Sequence, residues 1–257
     1  MEKKPIIRVE NLTAGYDDDI ILEDVTFDVN PGEIFIILGG SGCGKTTLLR
    51  HLVGLNSPLS GRVLIDGDDI ASGDSKVVDN ALKKIGVLFQ SAALFGSMTI
   101  EENVALPITE YSDLSRQAIF DLVRMKLCMV DLSGYENHLP SEISGDMKKR
   151  AGLARALALN PKILFLDEPT AGLDPPTSAE IDSLILHINR TIGTTIVIVT
   201  HELDSILSIG QRVIMLDKET KGITAEGDPK VLKENSDIAS VKAFFNRQAR
   251  TDQEMGL

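Results

Sequence analysis

Between an apolar run, Ile34 to Leu38, and a helix-forming run, Thr47 to Leu55, the chain reads Gly39-Gly40-Ser41-Gly42-Cys43-Gly44-Lys45-Thr46. A buried strand, a glycine-rich turn and a helix in that order admit few folds. The strand carries the backbone to the sheet edge, and the glycines permit a tight turn whose amides converge on phosphate oxygens at the helix N-terminus. Residues 39 to 47, ending in Thr46 and Thr47, are therefore the candidate phosphate ligands. Lys45 would pair with the β- and γ-phosphates of a nucleotide, and Thr46 would hold Mg²⁺.

A chain of 257 residues can bury one large core with an inserted lobe and need not form two independent domains. Lys and Arg number 26 against 38 Asp and Glu, a net charge of -12 that repels a phosphate backbone, so nucleic acid is excluded as an expected partner. The 2 cysteines, Cys43 and Cys128, have no metal-ligand spacing and suit a reducing compartment. Met1 to Pro5 lacks an apolar signal core, and no apolar run approaches the ~20 residues that cross a bilayer, so any membrane role is expected to act through a partner.

Short alternating runs, Ile7 to Leu12 and Val25 to Val29, flank the acidic turn Asp17-Asp18-Asp19 and predict antiparallel strands. Arg62 to Ile65 predicts another. From about residue 96 to 158 the β-branched runs thin out and helical periodicity takes over through Arg116 to Val130 and Met147 to Leu159, which predicts a helical lobe. Apolar strands follow at Ile163 to Leu166, Thr195 to Thr200 and Val213 to Leu216, with an amphipathic helix from Ser178 to Asn189. Strands alternating with helices imply a parallel sheet. The last eight or so residues are expected to fray.

Ile163 to Leu166 ends in Asp167-Glu168. Strand tips in such sheets point at the ligand crevice. Asp167 is placed to bind Mg²⁺, directly or through water, and Glu168 to polarise the water that attacks a γ-phosphate. A solvated acidic turn is the plainer alternative.

With these residues in order the chain resembles an ATP-binding cassette (ABC) ATPase over about residues 6 to 230. Gly39 to Thr46 matches Walker A, Gln90 the Q-loop glutamine, Ile143-Ser144-Gly145-Asp146-Met147 the signature, Ile163 to Glu168 Walker B, Ala171 to Asp174 the D-loop and His201 the switch histidine. The resemblance implies an α/β P-loop NTPase fold: a mostly parallel sheet core, an antiparallel β subdomain and an inserted helical subdomain at about 96–158. The ATPase domain would occupy 1–230 and a C-terminal helical extension and tail 231–257. It implies ATP and Mg²⁺ as cofactors and a head-to-tail dimer, with each ATP held between the phosphate loop of one copy and Ser144, Gly145, Asp146 and Met147 of the other. Tyr16 would stack on adenine, or is a half-exposed strand tyrosine. Gln90 would sense Mg²⁺ and the attacking water, or is a polar strand end. His201 would hydrogen-bond the γ-phosphate. His51, His138 and His187 are expected to be surface or packing residues.

The signature departs from the family's usual Leu-Ser-Gly-Gly-Gln at Ile143, Asp146 and Met147. Met147, together with Val87 to Phe95, Lys149 to Ala156 and Thr200 to Ser205, is similar to the ATPases of Mla-type phospholipid transporters. That implies a peripheral subunit on the cytoplasmic face of a bacterial inner membrane. Its expected partners are an integral-membrane permease, an MCE-domain lipid-binding protein and a small STAS-domain subunit. An importer of another small solute, and an ATP-binding subunit that hydrolyses weakly, remain alternatives. Asp146 motivates the second. An acid ~5 Å from a phosphate at an effective dielectric of ~20 is repelled by roughly 3 kcal/mol, which Lys148, Lys149 and Arg150 would partly offset. Turned outward, Asp146 would instead stabilise its own helix by about 0.3–1 kcal/mol.

Cys43 lies at a helix N-terminus that favours thiolate, yet phosphoryl transfer to water needs no thiol. Lys148 to Arg150 is expected to be a solvated helix face. Phe244-Phe245, within Val241 to Gln248, either packs on the subunit's own core or docks on a neighbour.

Overall fold

The computed structural model describes residues 4–16 and 19–248. The turn residues Asp17 and Asp18 and the tail from 249 lie outside the described residues. β1 (Ile7–Tyr16) and β2 (Asp19–Val29) pair antiparallel, as their alternation predicts, with Tyr16 opposite Asp19. β3 (Ile34–Gly39) then runs into α1 (Lys45–Leu52), and β4 (Ser60–Ile65) returns beside β1 before the two-residue β5 (Asp68–Asp69). α1 starts two residues earlier than predicted because Gly44 supplies the left-handed turn, φ 99°, from which the helix begins at Lys45. Next come α2 (Ser75–Leu82), β6 (Ile85–Leu88), α3 (Ile100–Tyr111), α4 (Arg116–Met129) and α5 (Gly145–Ala156). The chain continues through β7 (Ile163–Asp167), α6 (Pro175–Ile192), β8 (Thr195–Val199), α7 (Leu203–Ile209), β9 (Arg212–Asp217), β10 (Gly222–Gly227), α8 (Pro229–Asn235) and α9 (Ala239–Phe245).

Among the described residues the strands form a four-stranded sheet, β2-β1-β4-β5, and a six-stranded sheet, β10-β9-β3-β8-β7-β6. In the larger sheet β9, β3, β8, β7 and β6 run parallel, so their carboxyl ends share one edge, and β10 closes the side antiparallel. The central strands are buried on both faces, which explains their continuous apolar runs. Alternate residues serve different cores. Ile34, Ile36, Leu38, Leu164, Leu166, Ile196 and Ile198 pack with the helical lobe of α3, α4 and α5 and with α6 and α7. Phe35, Ile37, Ile163, Phe165, Val197 and Val199 pack instead with α1 and the antiparallel sheet. Each fully buried Ile or Leu contributes about 1.5–3 kcal/mol, so the two faces together fix the register.

Helix starts follow side-chain caps. Thr99 and Glu102 form a reciprocal capping box on α3, and Ser115, Ser144, Asp174 and Asp228 cap α4, α5, α6 and α8. α9 belongs to the main core: Val241 and Phe245 are buried there, with Phe244 against them edge to face. Of the two readings of that aromatic pair, the contacts favour packing on the subunit's own core.

Candidate functional site

The parallel register brings the candidate residues to one edge. Gly39 ends β3, Asp167 ends β7 opposite Val199, and Thr200 and His201 follow β8 directly. Gln90 lies in the turn just past β6. The phosphate loop therefore emerges between strands whose tips carry carboxylates, hydroxyl and imidazole.

Two of the loop's glycines, Gly39 and Gly44, are sterically required. A Cβ on Gly39, φ 151°, would stand 2.4 Å from the Leu216 carbonyl oxygen and 2.6 Å from Cys43 Sγ. One on Gly44 would stand 2.8 Å from Leu22 Cδ2. No side chain caps α1, so its first amides stay open to an anion. Lys45 Nζ donates to the Gly39 and Gly40 carbonyls at 2.8 and 3.0 Å, which parks the ammonium over the loop. Gly40, Ser41, Gly42 and Thr46 are at the surface or half-buried, whereas Thr47 is buried on the core side of α1. Cys43 is buried as well, and burial pushes its thiol above the ordinary range against the pull of Lys45. The expected thiolate-favouring effect of the helix N-terminus is outweighed by desolvation.

Asp167 and Glu168 are each 7% exposed. Burial, and then the charge of Glu168, push the Asp167 carboxyl up, while Lys45 and Lys149 pull it down. Glu168 has φ 48°, the left-handed region, which a residue with a Cβ adopts only under outside constraint. The constraint is visible. Its amide donates to Val199 O at 2.8 Å, and Oε2 accepts from Thr200 Oγ1 at 3.0 Å. Oε1 accepts from His201 Nδ1 at 2.6 Å, and the carbonyl accepts from Lys149 Nζ at 2.8 Å. Each carboxylate oxygen has a further lone pair, so a water held at the mouth can still pass a proton to it. Thr200 and Lys149 were missed as site residues. Thr200 has a signal in the sequence, a hydroxyl directly before the strand-tip His201; Lys149 sits in a basic run whose pattern indicates a solvated face.

That reading of the basic run is overturned. Lys149 and Arg150 are each 8% exposed. Arg150 binds Asp131 at 3.1 Å and Glu180 at 2.9 Å, fastening α5 to the end of α4 and to α6. With these two cations committed inside the subunit, the expected offset of Asp146 falls to Lys148. Asp146 itself turns to its own cap, where its Oδ1 accepts from the Ser144 hydroxyl. Ser144 Oγ also accepts from the Met147 amide at 3.4 Å, so the helix opens at Gly145, two residues before the predicted start.

No hydrogen bond or ion pair among the described residues joins Tyr16, Gln90 or Ser144 to Met147 to the phosphate loop. Tyr16 ends β1 and is 47% exposed, open to a stacking partner. Asp174 caps α6, and hydrogen bonds from the Thr177 hydroxyl and amide hold its carboxyl below the usual range. His51 is a packing residue whose Nδ1 donates to Thr47 O at 2.8 Å, and His187 is exposed. His138 is half-buried against Tyr135.

Residues 22–171 match the family model described as ABC transporter. The chain belongs to the ABC transporter family. As its ATP-binding member, this ABC ATPase is the ATP-hydrolysing subunit of a transporter. It is similar to the intermembrane phospholipid transport system ATP-binding protein MlaF of Haemophilus influenzae, 38% identical over 237 residues that make up 92% of this chain and 89% of that protein. It is 43% identical over 240 residues to a probable ribonucleotide transport ATP-binding protein, mkl, of Mycobacterium leprae, covering 93% of this chain and 68% of that protein. The chain thus spans about two thirds of the mycobacterial relative's length. A methionine import ATP-binding protein of Cupriavidus metallidurans is 43% identical over 196 residues, 76% of this chain and 57% of its own length. Among solved structures, a dimeric post-hydrolysis ATP-binding cassette bound to ADP and Pi superposes with a TM-score of 0.79 at 32% identity, covering 86% of this chain and 98% of the cassette.

Proposed function

We propose that two copies of this ABC ATPase close head to tail on ATP and that hydrolysis drives phospholipid movement through an integral-membrane permease. The chain would lie on the cytoplasmic face of a bacterial inner membrane, assembled with a permease, an MCE-domain protein and a STAS-domain subunit. The observation that carries the lipid assignment is coverage: the phospholipid-transport relative is matched over 89% of its own length. Among the described residues no helix is long and apolar enough to cross a membrane, and in this reading the permease carries the cargo.

In this reading Lys45 and the loop amides hold the β- and γ-phosphates, Tyr16 stacks on adenine, and Ser144 to Met147 of the partner copy close the γ-phosphate from the other side. The site also suits Mg²⁺. Asp167 and the Thr46 hydroxyl offer oxygen donors alone, the Asp167 carboxylate accepts no hydrogen bond among the described residues, and Gln90 stands at the next strand tip. Bound Mg²⁺ supplies charge neutralisation at the phosphate oxygens. Glu168 takes the proton of the attacking water, with Thr200 and His201 fixing its carboxylate. Asp174, at the start of α6, would face the partner copy.

Purification of the assembled transporter tests the cargo. An MCE-domain protein, a STAS-domain subunit and bound phospholipid are the expected companions, identified by mass spectrometry. Recovery of a soluble solute receptor in their place would move the assignment to a small-solute importer, the reading favoured by the methionine-import relative.

Asp146 supplies a second test. Replacing it with Gly removes a carboxylate beside the helix end that faces the γ-phosphate, and ATPase activity of the assembled complex should rise several-fold. The Ser144 contact limits the gain, because the carboxylate already leans on its own cap. Unchanged or lower turnover in steady-state phosphate release would show that Asp146 imposes no penalty on closure.

A further inference from the structure

The helix that carries Ser144 to Met147 also reaches the candidate base. Lys149 lies one helical turn beyond Gly145 on α5, and its Nζ donates to the Glu168 carbonyl at 2.8 Å. This is the ammonium's only hydrogen bond among the described residues; no carboxylate lies within ion-pair distance there, and the charges of Glu168 and Asp167 only partly offset its burial. Burying a cation in that way is unfavourable, and an apolar side chain would fill the same space without the cost. What Lys149 holds at this point is the Glu168 carbonyl.

Glu168 supplies the reason. Its left-handed backbone, φ 48°, must be held from outside. The amide and both carboxylate oxygens are held by Val199, Thr200 and His201, all on or just beyond β8. The carbonyl accepts from the Ala171 amide at 3.2 Å, within the same turn, and from Lys149. Lys149 is thus the one hydrogen-bonding contact, among the described residues, between Glu168 and the helical lobe.

We propose that Lys149 is a positioning residue for ATP hydrolysis, tying the direction of Glu168 to the seating of the helix whose N-terminus faces the nucleotide of the partner copy. This role acts through Glu168 and needs no contact with nucleotide or water. When α5 is displaced, the Glu168 carbonyl loses its clamp and the carboxylate drifts from the line of attack; when α5 is seated, the clamp closes. The inference rests on the proposed role of Glu168 as base.

The test compares the wild-type transporter complex with Lys149→Met, Lys149→Arg and Glu168→Gln, reading kcat, KM for ATP, equilibrium ATP affinity and melting temperature. Lys149→Met should lower kcat by roughly 10- to 100-fold with KM and affinity within about twofold, since a misplaced group far from the binding contacts affects chemistry first. Lys149→Arg keeps both charge and donor and should recover most of the rate. Wild-type kcat in Lys149→Met would overturn the inference, and so would a loss that extends equally to affinity and melting temperature, or that Lys149→Arg fails to rescue. If Lys149→Met does not fold, Lys149→Gln retains a neutral donor and is read by the same split between kcat and KM. Wild-type hydrolysis by Glu168→Gln would instead remove the base assignment on which the inference stands.

Discussion

ATP turnover by a Glu168→Gln protein should fall by about 10²- to 10⁴-fold while ATP binding is retained, the range that removal of a general base produces. The substitution is nearly isosteric. Thr200 Oγ1 and His201 Nδ1 now donate to the two carboxylate oxygens, and a glutamine amide can keep one of those contacts through its oxygen. The backbone contacts with Val199 and Lys149 do not involve the side chain at all. Folding and nucleotide binding should thus survive, whereas the amide cannot take a proton from water at neutral pH. ATP would then accumulate between two closed copies, visible as a dimer peak in size-exclusion chromatography with ATP and Mg²⁺. Phosphate release at the wild-type rate would reject Glu168 as the base, and loss of ATP binding would mean that its carboxylate serves the fold instead.

The strand tips were legible in the sequence because strands buried on both faces read as unbroken apolar runs, and a polar residue that ends such a run can only lie at the sheet edge. Asp167, Glu168 and His201 were found in this way, and Gly39 to Thr46 by the steric demand for glycine in the turn. The basic run at 148–150 was not legible. Charge in a sequence reads as solvent exposure, yet α5 is enclosed on several sides, and its cations are satisfied by Glu168 O, Asp131 and Glu180, which lie 19 to 30 residues away. Short elements escaped for a related reason. α2, β10 and α7 have too few residues to display a period, and within the expected C-terminal helical extension α9 is held by contacts of Val241 and Phe245 with the main core rather than by its own pattern. The Thr200 hydroxyl was overlooked because a β-branched residue at the end of a strand already has an explanation in strand propensity.

Lys45→Ala should weaken ATP binding by roughly 10- to 10⁴-fold, because one or two hydrogen bonds from an ammonium to phosphate oxygens are lost at about 1.5–3 kcal/mol each. Lys45 Nζ donates to the Gly39 and Gly40 carbonyls, which holds its charge at the loop rather than in bulk water. Little ordering entropy then remains to be lost when the nucleotide arrives. The same placement sets a background for the carboxylates. Lys45 is one of two cations that counter the rise in Asp167 caused by burial and by Glu168, so its removal leaves the mouth of the site more negative in a chain whose net charge is already -12. Both effects act against a polyphosphate. The fold should be spared, since the loop turn depends on Gly39 and Gly44 and the start of α1 accepts alanine readily. Isothermal titration with ATP and Mg²⁺, beside thermal melting of the free protein, separates the two: a melting temperature within a few degrees of wild type with affinity unchanged within twofold would place phosphate recognition in the loop amides alone and dismiss Lys45 from it.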